Sequence, residues 1–196
     1  MGGDRGLRIG VLALQGDVSE HAAAFAAALR ERQGEHAPVI AVRHADDLTG
    51  LDGLAVPGGE STTISRLIEK NRLRRPLLEF DGGIFATCAG MVLAASEVDD
   101  PRVLPLGLVE ITVDRNAFGR QRESFELDLP VKGLEAPFHA VFIRAPIATR
   151  VGSGATVLAA LDQGAVAVGQ GRHLALSFHP ELGTDLRLHH LFLDGL

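Results

Sequence analysis

Apolar and polar positions alternate in blocks through the first half of the chain. Residues 7–14 (LRIGVLAL) form a short apolar run that stops at Gln15 and Gly16, the signature of a buried strand. Apolar residues then recur at helical spacing. Val18, Ala22, Phe25, Ala26 and Leu29 share one face and predict a helix to about Arg32, with Asp17 or Ser19 as its cap. Residues 39–42 and 54–56 read as a second and a third strand. The third ends at Pro57-Gly58-Gly59, and a helix follows through Ile64, Leu67 and Ile68. Residues 83–87 read as a fourth strand, with a helix over 89–96 directly behind it.

This alternation of strand and helix predicts a parallel sheet covered by helices on both faces. The second half has a different rhythm. Residues 109–113, 124–129, 140–143, 155–161, 165–169 and 174–178 all read as strands with short turns, and a last helix spans about 184–193. The expected architecture is therefore α/β: a three-layer, open, mostly parallel sheet flanked by helices, with antiparallel additions at one side. No internal repeat or low-complexity linker divides the chain, so one domain over 1–196 is expected. In open α/β sheets ligands bind beyond the C-terminal ends of the strands. Pro57-Gly58-Gly59, Cys88 and His179 each follow a predicted strand, so they can meet at one edge.

Composition narrows the function. Hydrophobic residues are 46% and charged residues 22% of 196, ordinary values for a globular protein. The net charge of -6 and the scattered 19 Lys and Arg argue against nucleic acid or an anionic membrane as partner. The single cysteine excludes an internal disulfide. The polar, Gly-rich start lacks the apolar core of a signal peptide, and no stretch nears the roughly 20 apolar residues of a membrane span. A cytoplasmic protein is expected.

Three segments carry chemistry. Cys88 stands where a strand meets a helix, with the small neighbours Ala86, Ala89 and Gly90 that a sharp nucleophile elbow needs. The start of a helix offers its positive end to a thiolate. The N–H of Ala89 can donate to an oxyanion. Without that context Cys88 reads as a small core residue. The second segment is Ser177-Phe178-His179-Pro180-Glu181. In an extended segment residues two apart face the same side, so Glu181 can orient the His179 imidazole as a base for Cys88. By itself His-Pro-Glu reads as a surface turn. The third is the loop Pro57 to Thr63 (PGGESTT). Its glycines let backbone N–H groups point into a cleft, as a second oxyanion donor or a phosphate cradle, though it lacks the lysine of a phosphate-binding P-loop. A plain turn capped by Ser61 is the other reading. His21, His36, His44, His139 and His173 read as structural, and His189-His190 as an exposed or half-buried pair. The lone cysteine has no partner at metal-ligand spacing, so no metal is expected.

Together these segments resemble the class I (triad) glutamine amidotransferases, and more narrowly the glutaminase subunits of pyridoxal 5′-phosphate synthase. The similarity covers residues 9–21 (IGVLALQGDVSEH), 54–64 (LAVPGGESTTI), 87–93 (TCAGMVL), 113–126 (VDRNAFGRQRESFE), 142–146 (FIRAP) and 177–182 (SFHPEL). The Cys and His-Pro-Glu signals alone give the class; ALQGDVSEH, PGGESTT and RNAFGRQ give the subfamily. The chain departs in two places. Ala86 stands where the family has Gly, and residues 33–47 diverge.

The resemblance implies a class I glutamine amidotransferase-like (flavodoxin-like) fold and a Cys88–His179–Glu181 triad that hydrolyses L-glutamine. It places Gly59, Glu60 and Ser61 at the glutamine, with Arg115, Ile143 and Arg144 completing that pocket. Gly59 and Ala89 would be the oxyanion donors. No cofactor is implied. The implied partner is the synthase subunit, in a complex of twelve synthase and twelve glutaminase subunits. Three rival functions keep the fold: a glutaminase feeding another acceptor, a hydrolase of γ-glutamyl peptides or other amides, and a non-catalytic scaffold that only binds the synthase.

Overall fold

The computed structural model describes residues 6–34, 38–115, 117 and 124–196. The first half holds β1 (Ile9–Leu12), α1 (Val18–Gln33), β2 (Ile40–Val42), β3 (Gly53–Val56), α2 (Ser61–Lys70), α3 (Arg74–Leu78), β4 (Gly83–Thr87) and α4 (Ala89–Ala94). The second half holds β5 (Ala95–Val98), β6 (Val109–Asp114), β7 (Ser124–Leu129), β8 (Phe138–Ile143), β9 (Ile147–Val151), β10 (Thr156–Leu161), β11 (Gly164–Gln170), β12 (His173–Leu176) and α5 (Arg187–Asp194).

Ten strands make one mixed sheet in the order β2-β1-β3-β4-β12-β11-β9-β6-β5, with β10 paired to β11. The block from β2 to β12 is parallel throughout. Strands β11, β9 and β6 then join antiparallel, the expected additions at one side. Three details differ from the sequence reading. The helix behind β4 stops at Ala94, and Ala95 and Ser96 begin a strand instead. Strands β5 and β9 and the short helix α3 carried no recognisable sequence signal. Strands β7 and β8 leave the main sheet to form a separate hairpin.

Side chains along the central strands alternate between two cores, as the two-residue period of a strand requires. Leu54, Val56, Ile84 and Ala86 point to the side of α2, α3 and α4. Ala55, Phe85, Leu174 and Leu176 point to the side of α1, α5 and the β7–β8 hairpin. Phe85 is fully buried there, its ring centroid 5.1 Å from Phe25 and 5.4 Å from Phe192. Burying each such ring contributes roughly 1.5–3 kcal/mol.

Helix α1 is rotated relative to the expected face. Its buried residues are His21, Ala24, Phe25, Ala28 and Leu29, while Val18, Ala22 and Ala26 are only partly covered. The run AAAFAAAL has an almost flat hydrophobic profile, so the large side chains Phe25 and Leu29 set the buried stripe. That rotation carries the polar His21 inside.

Candidate active site

Strands β3, β4 and β12 are adjacent and parallel, with Val56 opposite Ala86 and Leu176 opposite Thr87. Their C-terminal ends therefore open at one edge of the sheet. The Gly58 loop, Cys88 and His179 are delivered there although they lie far apart in sequence.

Cys88 caps α4 with φ 49° and ψ −108°, a conformation L-residues rarely adopt. This is the strained strand-to-helix turn expected of a nucleophile elbow. Its N–H still reaches the carbonyl of Leu176 at 2.8 Å, which pins the turn to β12. Ala86 is fully buried against α4 and neighbouring core residues, so the extra methyl group relative to the family pattern is accommodated. Cys88 is 8% exposed, and its Sγ lies 3.7 Å from the carbonyl oxygen of Ile143. The next residue, Arg144, has φ 45°. Both Ile143 and Arg144 are exposed.

His179 and Glu181 meet differently from expectation. Pro180 begins a short 3-10 helix, Pro180–Leu182, rather than continuing an extended segment. Its fixed φ suits the first position of a helical turn. The turn brings Nδ1 of His179 to 2.7 Å from Oε1 of Glu181. Nε2 of His21 stands 3.4 Å from the same oxygen. Burial disfavours the charged His179 ring. Its hydrogen bond with Cys88, its hydrogen bond with Glu181 and their charges outweigh that and push it up to about 10. Burial also disfavours the Glu181 carboxylate, and the hydrogen bonds from His179 and His21 outweigh it and hold Glu181 at about 2. The site thus favours a charged imidazole paired with an anionic Glu181 carboxylate.

Glycine 58 touches this ring. A methyl group in place of its hydrogen would lie 2.5 Å from Cε1 of His179 and 2.9 Å from Oδ2 of Asp17. Asp17 begins α1 but makes no side-chain cap; its Oδ2 lies 3.4 Å from Nδ1 of His179 instead. Asp17, His179 and Glu181 each offer a metal-ligand atom within 4.8 Å of the others. An ion there would take the Nδ1 position that Glu181 now orients.

The glycine loop is built around Glu60. Gly59 adopts φ 146°, which a side chain would oppose. The N–H of Glu60 donates to Oε1 of Gln15 at 2.9 Å. Glu60, not Ser61, caps α2, accepting from the N–H groups of Thr62 and Thr63 and from both hydroxyls. Partial burial opposes its charge, and those four donors still bring it to about 2. Ser61 is buried in the first turn of α2. Arg115 pairs with Asp100 and reaches Oε1 of Glu60 at 3.3 Å. Asn116 and residues 118–123 of the 113–126 segment lie outside the described residues, as do residues 35–37, with His36, in the divergent stretch.

Two residues near Cys88, His179 and Glu181 escaped the sequence reading. One is Asp17, considered only as a helix cap. The other is His21, fully buried, whose Nε2 lies 2.9 Å from the hydroxyl of Thr87. A histidine within a stripe of Ala and Phe was the available signal, because a polar group in a core needs partners. His189 is also fully buried, not half-exposed. Its ring stacks on Phe85 at 5.1 Å, and burial pushes it down to about 3.

A strained cysteine, a paired His and Glu and a glycine loop thus stand together at one edge of an open α/β sheet. A solved structure titled "Crystal structure of glutamine amidotransferase" superposes with a TM-score of 0.84 at 48% identity, covering 95% of this chain and 97% of that one. The chain belongs to the SNO glutamine amidotransferase family, whose model matches residues 11–196. Its relatives include "Pyridoxal 5'-phosphate synthase subunit PdxT" from Methanosphaerula palustris, 66% identical over 97% of each chain. A protein of the same name from Methanoregula boonei is 64% identical over 97% of this chain and 99% of its own.

Proposed function

We propose that this chain is the glutaminase subunit of a pyridoxal 5′-phosphate synthase, acting as one domain over 1–196. The family and the relatives' shared name support this, and the placement of Cys88, His179 and Glu181 at one sheet edge supports the chemistry. In this reading the Cys88 thiolate attacks the side-chain carbonyl of L-glutamine. The oxyanion rests on the N–H groups of Gly59 and Ala89. The His179 imidazolium protonates the departing ammonia and leaves a γ-glutamyl thioester. Water, activated by His179, then releases glutamate.

The pocket reading gives the glutamine α-carboxylate to Arg115, which Asp100 and Glu60 hold in place. Glu60, Ser61, Ile143 and Arg144 complete the enclosure. Ammonia passes to a synthase subunit, in an assembly we take to hold twelve copies of each chain in the cytoplasm. No helix among the described residues is long and apolar enough to cross a membrane.

Ammonia release from glutamine, measured with and without the synthase subunit, tests this reading. Cys88→Ala is expected to abolish release, and His179→Asn to lower kcat by orders of magnitude. Full activity in either variant refutes the role assigned to that residue. Native mass spectrometry of the co-purified complex reads the stoichiometry directly.

A further inference from the structure

His21 lies outside the triad, yet it is fully buried against it. It projects from α1, a helix that contributes nothing to the attack itself. Its Nε2 faces two oxygens at once: Oγ1 of Thr87 at 2.9 Å and Oε1 of Glu181 at 3.4 Å. Thr87 is the last residue of β4, immediately before the nucleophile. The Thr87 hydroxyl oxygen also accepts the N–H of Gly58, at 3.1 Å. One buried node therefore touches the acid of the triad, the strand that carries the cysteine and the loop that carries Gly59.

We propose that His21 is a positioning residue for the glutaminase reaction, its Nε2–H bracing the Glu181 carboxylate and the Thr87 hydroxyl so that acid, nucleophile strand and glycine loop keep one geometry. The assignment rests on the glutaminase reading above for its kinetic consequence, but not for its structural content.

Two observations fix the proton on Nε2. A bare Nε2 lone pair would face the anionic oxygen of Glu181, which is repulsive, whereas an N–H is attractive there. Nδ1 of His21 has no hydrogen-bond partner among the described residues. Placing the only ring proton on Nδ1 would strand a buried donor while exposing the lone pair to the carboxylate. The Nε2–H thus donates to the Thr87 hydroxyl oxygen and turns a second imidazole N–H toward Oε1 of Glu181, 3.4 Å away, beside the hydrogen bond from Nδ1 of His179. Oε2 of Glu181 has no partner among the described residues, so nothing there duplicates the brace. The other titratable groups around His21 are His179 beyond Glu181, His189 on α5, and Asp17 at the head of α1.

His21→Leu removes the donor and keeps an apolar side chain among Phe25 and Phe85. With the synthase subunit present, its kcat is expected to fall about tenfold or more while KM moves less than about threefold. The acid limb of its kcat profile is expected to move to higher pH, because Glu181 loses a donor that favours its ionised form. His21→Gln, whose amide N–H can reach the Nε2 position, is expected to restore most of kcat and the native limb. Native kcat and limb in His21→Leu overturn the proposal. So does a loss of kcat with an unmoved limb, or a folded His21→Gln as impaired as His21→Leu. Should His21→Leu fail to fold, Thr87→Val removes the other partner of the same nitrogen, and native kcat there overturns the proposal equally. Imidazole 15N shifts of the free chain decide without substrate. They should show Nε2 of His21 protonated; a bare Nε2 overturns the assignment. A wild type inert toward glutamine even with the synthase present would sink the glutaminase reading, and the 15N result would still decide on His21.

Discussion

Nδ1 of His179 lies 2.7 Å from Oε1 of Glu181, two residues onward in the chain, and both side chains are buried. The contact opposes the burial of the imidazolium and, with the Cys88 contact, raises His179 to about 10. Glu181→Gln keeps the shape but removes the charge. The imidazolium then loses an anionic partner, and the alkaline limb of kcat/KM should move down by about one pH unit or more. An unmoved limb in a folded Glu181→Gln would show that the carboxylate does not set the charge of the ring.

The same shift has a stability consequence. The folded value of about 10 exceeds the ordinary 6.5, so the folded state binds more protons between them. The stabilisation is fully present below about pH 6.5 and is lost as pH rises through 10. Urea denaturation at a series of pH values should show stability falling across that window in the wild type. In Glu181→Gln the fall should end at lower pH.

Gly58 is the wall behind the imidazole. Gly58→Ala would place a methyl group 2.5 Å from Cε1 of His179, and neither the ring nor the backbone can yield without leaving Glu181 or the glycine loop. A displacement of about 1 Å at a catalytic group costs on the order of 100-fold in rate. The expected result is a kcat loss of that order with the fold preserved by circular dichroism. Near-native kcat would mean that the ring has room to move.

Glu60 caps a helix and, in the proposed reading, also lines the glutamine pocket. Glu60→Ala removes the cap of α2 and should cost about 0.5–2 kcal/mol in denaturant unfolding. It also frees Arg115 from one of its two acidic partners, so KM for glutamine should rise more than kcat falls. An unchanged KM would separate Glu60 from the substrate.

Phe85 lies on β4, the strand that leads into Cys88. It is fully buried among Phe25, His189 and Phe192. Phe85→Ala should destabilise the chain by about 3–5 kcal/mol in denaturant titration, through lost burial plus the cavity left behind. A cost below about 1 kcal/mol would mean that the aromatic cluster collapses around the gap.

Local signals in the sequence carried much of this protein. The apolar runs ending at Gly16, at Pro57-Gly58-Gly59 and at Cys88 mark three strand ends because turns there demand glycine or small residues. Those signals singled out Cys88, His179 and Glu181, which the fold brings to one edge of the sheet, and they marked the α/β order. Tertiary structure decided what depends on neighbours distant in the chain. Strand β12 lies beside β4 because both faces of its apolar run are buried there, and no local pattern names that partner. The stripe of α1 that turns inward was set by Phe25 and Leu29 packing on the sheet, and His21 followed them inside. Hydrophobic periodicity is a property of a segment. Which polar groups a burial event brings within hydrogen-bond reach is a property of the assembled core.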